Sequence, residues 1–387
     1  MIGGSWRLWV EPGEFPRVPF VGGWPAFPAW VSWACLGAIV AGLAAGAIGR
    51  GGRAAVALSM VGLAFAVAGD QNRLQPWVYQ YLVVGSALVA APRSRAPRMA
   101  RLYAASLYFY SGLSKLDASF VAELGEQFLR AGVAPLGLDP AAWPSPARAA
   151  AILAMPAWEV AVAVGLMFRA TRRLALVGAL AQHAALVAIL GPWNLDHSVN
   201  VLIWNAAMAA EAWFLFRGPP AGDGPASIEK GWPGAVAWVV VGPALVAPLG
   251  ERSGLCDSWP GHALYASHCE RTDVFLHEDD LDRFPGSARR RVGPPGPGPW
   301  RRLDLGGWSL DLRGAPIYPQ GRVGNGIAEA LAARFGGSQP VRVVQWGRAA
   351  FRDGRRSRDE CLGLRAIRRR GDLYRINAHP AGRDAGR

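Results

Sequence analysis

The chain has 387 residues, of which 51% are hydrophobic and only 18% charged, with 17 tryptophans and a formal net charge of +13. That balance excludes an ordinary soluble protein of this size and points to a bilayer as solvent. The apolar residues concentrate before about residue 250, and the rest is rich in Arg, Gly and Pro, so two parts are expected, residues 1–250 in the membrane and 251–387 in water.

Residues 1–25, with WRLWVEPGEF, are too charged to cross a bilayer and contain no signal-peptide core, so they read as an interfacial segment. Eight apolar stretches follow, near 27–49, 54–69, 77–92, 98–116, 149–168, 172–191, 197–216 and 233–249. Each approaches the length that crosses a hydrocarbon core of about 30 Å. The fold class is therefore mainly α, a polytopic helical bundle of about eight spans.

Basic linkers alternate with neutral or acidic ones. The basic set is Arg50 and Arg53, then Arg93, Arg95, Arg98 and Arg101, then Arg169, Arg172 and Arg173, then Arg217 with Lys230. By the positive-inside rule, residues 70–76, 116–148 and 192–197 lie on the outer face, together with everything after 250.

Three polar clusters interrupt the apolar helices near these outer ends: GDQNRLQPWVYQY at 69–81, YFYSGLSKLD at 108–117, and the stretch 181–205. Tyr108, Ser111 and Lys115 recur at i, i+3 and i+7 and share one helix face. With Arg73, Gln75 and Trp77 from the first cluster, and Gln182, His183, Asn200, Trp204 and Asn205 from the third, they read as walls of an outward-opening polar cavity. Glu159, an isolated carboxylate in PAWEVAV, requires a partner, Arg73 or Lys115, or marks a pathway. The competing readings are a Lys115 that snorkels to the headgroups and a His183 that only packs helices.

The region after 250 holds 24 arginines, 16 acidic residues and no lysine. GPPGPGPW at 293–300 reads as a linker, RRR at 289–291 as a solvated loop, WSLDL and VRVVQW as strands, and NGIAEALAARFGG as a helix beginning near Asn325. These make a small α+β module. Its basic charge suits anionic headgroups, an acidic partner or solubility, and its outer location excludes nucleic acid. Cys35 reads as a packing residue of the first span. A disulfide between Cys256 and Cys269 is expected, with a metal site including His262 and His268 as the less favoured alternative, so no metal is predicted. The absence of CxxC, Walker, GxSxG and HExxH motifs excludes the corresponding chemistries.

YFYSGLSKLDASF resembles the segment of vitamin-K-dependent gamma-carboxylases in which a lysine followed by Leu-Asp closes a tyrosine-containing membrane helix. DQNRLQPWVYQYLV, and a His-containing helix followed by GPW and then W-N, are similar to bacterial membrane proteins that carry the horizontally transferred transmembrane (HTTM) domain. The resemblance covers roughly residues 5–216. It implies a bacterial inner-membrane protein with an extracytoplasmic C-terminal module and Lys115 as the base that deprotonates a reduced quinone, such as menaquinol or vitamin K hydroquinone. It also implies carboxylation, a carbon–carbon lyase chemistry, on a peptide or protein substrate at the outer face. An apolar pocket suits such a base because it disfavours the ammonium form. The early histidine of the carboxylases is missing from RLQPWVYQY, where Gln75, Trp77 or Gln80 stands instead, and His183 or His197 would have to substitute. The alternatives are a transporter in which Glu159, Lys115 and His183 line a path, and a non-catalytic protein whose outer module is the working surface.

Overall fold

The computed structural model describes residues 1–10, 13–25, 27–218, 232–296, 298–337 and 340–382; Lys230, part of the last basic linker, lies outside them. The described chain is mainly helical. After a short α1 (Trp6–Val10) come α2 (Ala29–Ala47), α3 (Gly52–Gly69), α4 (Pro76–Ala90) and α5 (Ala96–Ser114). Two short helices, α6 (Ala118–Ala122) and α7 (Leu124–Val133), precede α8 (Ser145–Met167), α9 (Arg172–Leu190), α10 (Val199–Phe216) and α11 (Trp232–Val246). A helix thus occupies each of the eight apolar stretches. Prolines in the first turn of α4, α5 and α8 fit there because the first turn needs no N–H donor.

Five of these helices, α2, α3, α8, α9 and α10, are long and apolar enough to cross a membrane. Helix α4 and residues 235–250 are apolar but shorter. Helix α5 has 19 residues, yet Arg98, Arg101 and its tyrosines and serines make it more polar. Trp30, Val61, Leu174, Val177, Phe214 and Val239 are exposed on these helices, a surface that acyl chains would solvate without penalty.

The C-terminal region carries a four-stranded antiparallel sheet in the order β2 (Trp300–Leu303), β1 (Arg271–His277), β3 (Arg342–Trp346), β4 (Arg358–Leu362). Val274 sits opposite both Leu303 and Val343, fixing the register of β2, β1 and β3. Around the sheet lie α12 (Gly286–Arg289), α13 (Leu305–Arg313), α14 (Gly321–Phe335) and α15 (Gly363–Gly371). Val323, Ile327 and Leu331 of α14 bury against Val274, Leu276 and Val343. Gly324 makes this approach possible: a Cβ there would lie 2.5 Å from that of Thr272.

VRVVQW is a strand as expected, but WSLDL is not: it lies within α13. Leu305, Trp308 and Leu312, spaced i, i+3 and i+7, turn one face into the core, while the Asp304 carboxylate caps Gly307 N at 2.9 Å. The short alternation that suggested a strand is contained in that helical period. Helix α14 also starts four residues before Asn325, so GRVGNG forms its first turns.

The expected Cys256–Cys269 disulfide is absent, and all four cysteines are free. Cys256 Sγ turns to its neighbour Asp257 O (3.5 Å), and Cys269 Sγ lies 4.0 Å from Ala263 O. The loop between them is held by polar contacts instead. Tyr318 Oη donates to Asp257 at 2.7 Å, and Arg322 grips the same carboxylate with Nη1 at 2.7 Å. Burial pushes the Cys256 thiol up to about 12 and the Cys269 thiol to about 11, which disfavours the thiolates that disulfide formation needs.

Helices and module share one core, in which Leu8, Trp9, Phe15 and Val18 lie with Leu63, Val78, Trp308 and Tyr318. The N-terminal segment is therefore anchored in that core by part of its apolar side chains, with Leu8 and Trp9 nearly inaccessible and Trp6 exposed. The linkers expected on one side do meet the module: Arg313 pairs with Asp70, Ala118 N donates to Phe351 O (3.2 Å), and His197 stands 5.7 Å from the Tyr265 ring.

Candidate functional site

Lys115 is the C-cap of α5, buried, with its amide donating back to Gly112 O at 3.1 Å. Its side chain does not reach outward. Nζ donates to Ser111 Oγ at 2.9 Å and lies 2.8 Å from both carboxylate oxygens of Glu159. Glu159 comes from α8, and its nearness to Lys115 depends on Gly112. A Cβ at Gly112 would stand 2.6 Å from Pro156 O and 3.0 Å from the Glu159 Cβ, so the helices cross at a point only glycine permits. Of the two partners considered for Glu159, the structure pairs it with Lys115.

This pair lines a cavity of about 470 Å³ enclosed by α5, α8, α9 and α10 and by residues Leu264 and Tyr265 of the module. Its wall is apolar, with Leu107, Phe120, Phe128, Met155, Trp158 and Leu186 among the lining residues. A second polar set lines the same chamber. Tyr108 Oη lies 2.7 Å from His183 Nε2, and His183 Nδ1 lies 3.0 Å from Asn205 Oδ1. Asn205 Nδ2 donates to Val201 O at 2.9 Å, which leaves Oδ1 as the acceptor. That assigns the proton to Nδ1 and makes Nε2 the acceptor from Tyr108. Gln182 Oε1, on the same wall, is buried without a hydrogen bond.

Tyr108, Ser111, Lys115, Glu159, His183, Trp204 and Asn205 thus meet around one chamber. Arg73, Gln75, Trp77 and Asn200 do not line it. Arg73 is buried among backbone carbonyls, donating to Leu8 O (2.9 Å), Ala66 O and Trp9 O (both 3.3 Å). Gln75 Nε2 donates to Asn72 O (2.7 Å) and Pro316 O (3.1 Å), and Asn200 Nδ2 to Gly314 O (3.2 Å). Trp77 packs against Trp9 in a tilted arrangement, ring centroids 5.8 Å apart, and faces a different cavity.

The residues just beyond Lys115 anchor this end of α5 to the module. Asp117 caps Phe120 N (2.8 Å), accepts from Ser119 Oγ (2.6 Å), pairs with Arg252 and lies 3.2 Å from His268 Nδ1. His268 Nε2 continues to Glu251 at 2.8 Å, and Glu251 also holds Arg348. For Asp117, burial would raise the pKa, but His268, Ser119, the Phe120 amide and Arg252 outweigh it and hold the carboxyl well below the usual range. For His268, burial would lower the pKa, but Asp117 and Glu251 outweigh it and raise it. Glu251, His268 and Cys269 bring three donor atoms within 4.8 Å of one another, with Cys256 and His262 outside the group. Both Glu251 oxygens are already hydrogen-bonded, to Ser258 and Arg348 on one side and His268 on the other.

Sequence reasoning missed Asp117, Glu251 and His268 as a network, because their contacts span up to 151 positions of chain and carry no local period. It also missed Tyr265, which lines the chamber with a backbone φ of +56°. Glu211, in AAEAWF, could have been found: it is an acidic residue inside an apolar run, the same signal that singled out Glu159. Comparison with family models, curated proteins and solved structures finds no match to this chain.

Proposed function

We propose that the chain crosses a bacterial inner membrane about eight times, with its sheet-bearing module outside, and transfers protons on a lipid-soluble hydroxyl compound at Lys115. The observation that carries this reading is an amine and a carboxylate 2.8 Å apart in the wall of an otherwise apolar chamber. The two groups stand within direct proton-transfer distance of each other and line the space where such a compound would sit. Ser111 orients the nitrogen, and Asn205 fixes the His183 tautomer, so that Tyr108 and His183 form a second pair of proton-exchanging groups along the same chamber.

A reduced quinone such as menaquinol or vitamin K hydroquinone, the class suggested by the gamma-carboxylase resemblance, fits this wall. The unpaired Gln182 Oε1 would accept from a ring hydroxyl, and Phe120, Phe128 and Trp158 would cover the ring faces. Bound there, such a compound supplies reducing equivalents and an acidic hydroxyl. The residues would hold it, cover it from water and offer Lys115 Nζ as the acceptor of its proton. Carboxylation of a peptide or protein at the outer face is the extension of this reading, with His183 in place of the missing early histidine.

The test is identification by mass spectrometry of lipids that co-purify with the detergent-solubilised protein and with Lys115→Ala. A quinone bound to the first and lost from the second supports the reading; no quinone on either removes it. A second, non-catalytic reading rests on the closure of the Lys115–Glu159 pair, which would then be a clamp between α5 and α8. It expects Lys115→Met/Glu159→Met to keep whatever lipid the native protein carries.

A further inference from the structure

A second cavity, of about 1120 Å³, lies on the other side of Trp204 and Met208, which line both chambers. It is bounded by α1, α2, α4, α5 and α10, and exposed Val40, Leu88 and Phe214 stand on its rim, so it opens sideways where acyl chains would lie. Five aromatic residues contribute to its wall: Trp6, Trp77, Tyr81, Trp204 and Phe214. A single carboxylate, Glu211 of α10, faces into it.

Glu211 differs from the acids described above. Asp70 pairs with Arg313, Asp117 with Arg252, Glu159 with Lys115 and Glu251 with Arg348. Among the described residues Glu211 has no cationic partner. Its hydrogen bond comes from the amide of Gln80, which is itself fixed by Trp204 Nε1 donating to Gln80 Oε1 at 2.9 Å. The amide is thus oriented to donate, and one Glu211 oxygen is left for something else. A lone carboxylate in hydrocarbon is unfavourable unless it takes up a proton or meets a counter-charge, and a bound cation would supply the second.

We propose that this cavity binds a lipophilic organic cation, one with a delocalised or quaternary charge on an aromatic or alkyl body, entering from the bilayer. Three features choose this class. Aromatic faces attract a weakly hydrated cation, the carboxylate neutralises it, and the volume matches a drug-sized molecule. A primary ammonium fits less well, because it needs several acceptors and the wall offers it one free carboxylate oxygen.

The test uses the full chain in nanodiscs, tetraphenylphosphonium as probe and neutral triphenylphosphine oxide as control, with binding read by equilibrium dialysis. The expected result is saturable binding of the cation, weakened by about tenfold or more in Glu211→Gln and largely retained in Glu211→Asp. Glu211→Gln preserves shape and can still accept from Gln80; should it fail to fold, displacement of the cation from native protein by rhodamine 6G, with no displacement by the neutral compound, supports the site. Equal binding of cation and neutral control, or unchanged cation binding in folded Glu211→Gln, reduces the cavity to a lipid-filled groove and overturns the proposal. So does absence of saturable binding to the native protein.

Discussion

The segments 69–77 and 108–117 look alike in sequence: each places polar residues and one basic residue beside an apolar helix. Folded, they have opposite roles. Asp70, Gln71, Asn72, Arg73 and Gln75 point their polar atoms at protein backbone or at the module, through Arg313, Arg322, Tyr318 N and Pro316 O. Tyr108, Ser111 and Lys115 point theirs at an open chamber and at one another's partners. The difference lies in the kind of partner and in the free volume beside it. A buried polar group whose bonds are all taken up by main chain or by side chains of the packed module is a fastener, whereas one that meets a titratable side chain beside free volume can do chemistry.

The largest effect should come from breaking the chamber pair on one side. Lys115→Met leaves Glu159 buried without its cation, and about 3–5 kcal/mol of stability should be lost. Lys115→Met/Glu159→Met should recover most of it, because two apolar side chains replace the pair. Denaturant unfolding in detergent checks both, and an unaffected single variant would place the pair in water. The matching experiment on the fastener is Arg313→Met, which strands the fully buried Asp70 and should destabilise by a similar amount, about 3–5 kcal/mol. The two should separate in readout: Arg313→Met exposes the module to protease, and Lys115→Met leaves it docked.

Gly112→Ala tests what brings α5 to α8. The added methyl meets Pro156 O, so the helices must part or shift, at about 1–3 kcal/mol. The expected signature is a lengthened Lys115–Glu159 contact, read as loss of most of the coupling energy in a double-mutant cycle of the two residues. Undiminished coupling in the Gly112→Ala background would show that the crossing does not set the pair.

Much of this was legible in the sequence. Period and length located eight helices to within a few residues, since an apolar run of 15–23 residues leaves a helix few alternatives. The spacing of Tyr108, Ser111 and Lys115 put them on one face, and the isolated Glu159 announced a partner. What composition could not show was which polar cluster met protein and which met space. Arg73 and Lys115 are both single cations at the ends of apolar runs, and only the docking of residues 313–322 over the first decides between them. The module was less legible because its strands are short and pair across long separations, such as Val274 with Val343, and because WSLDL alternates within a helical period. The cysteine spacing suggested a bridge, but the loop is tied by Asp257, Glu251 and His268.

The smallest effect concerns pH and the joint between α5 and the module. His268 has its pKa raised by two carboxylates, so its contribution is fully present below its unfolded value of about 6.5 and is lost as pH rises through the folded value. Asp117 and Glu251 have theirs lowered, so their contributions are present above unfolded values of about 4 and are lost as pH falls through the folded ones. Stability at this joint should therefore be greatest between roughly pH 5 and 6 and should decline on the alkaline side through His268 alone. His268→Gln keeps neutral hydrogen bonding but removes that charge. It should lower stability by about 1 kcal/mol near pH 5.5 and by less at a pH above the folded value of His268, where the native side chain also loses its charge. Unfolding curves at the two pH values measure the difference. An equal loss at both would mean that His268 holds Asp117 and Glu251 by shape and neutral hydrogen bonds, and that the end of α5 carrying Lys115 is set without its charge.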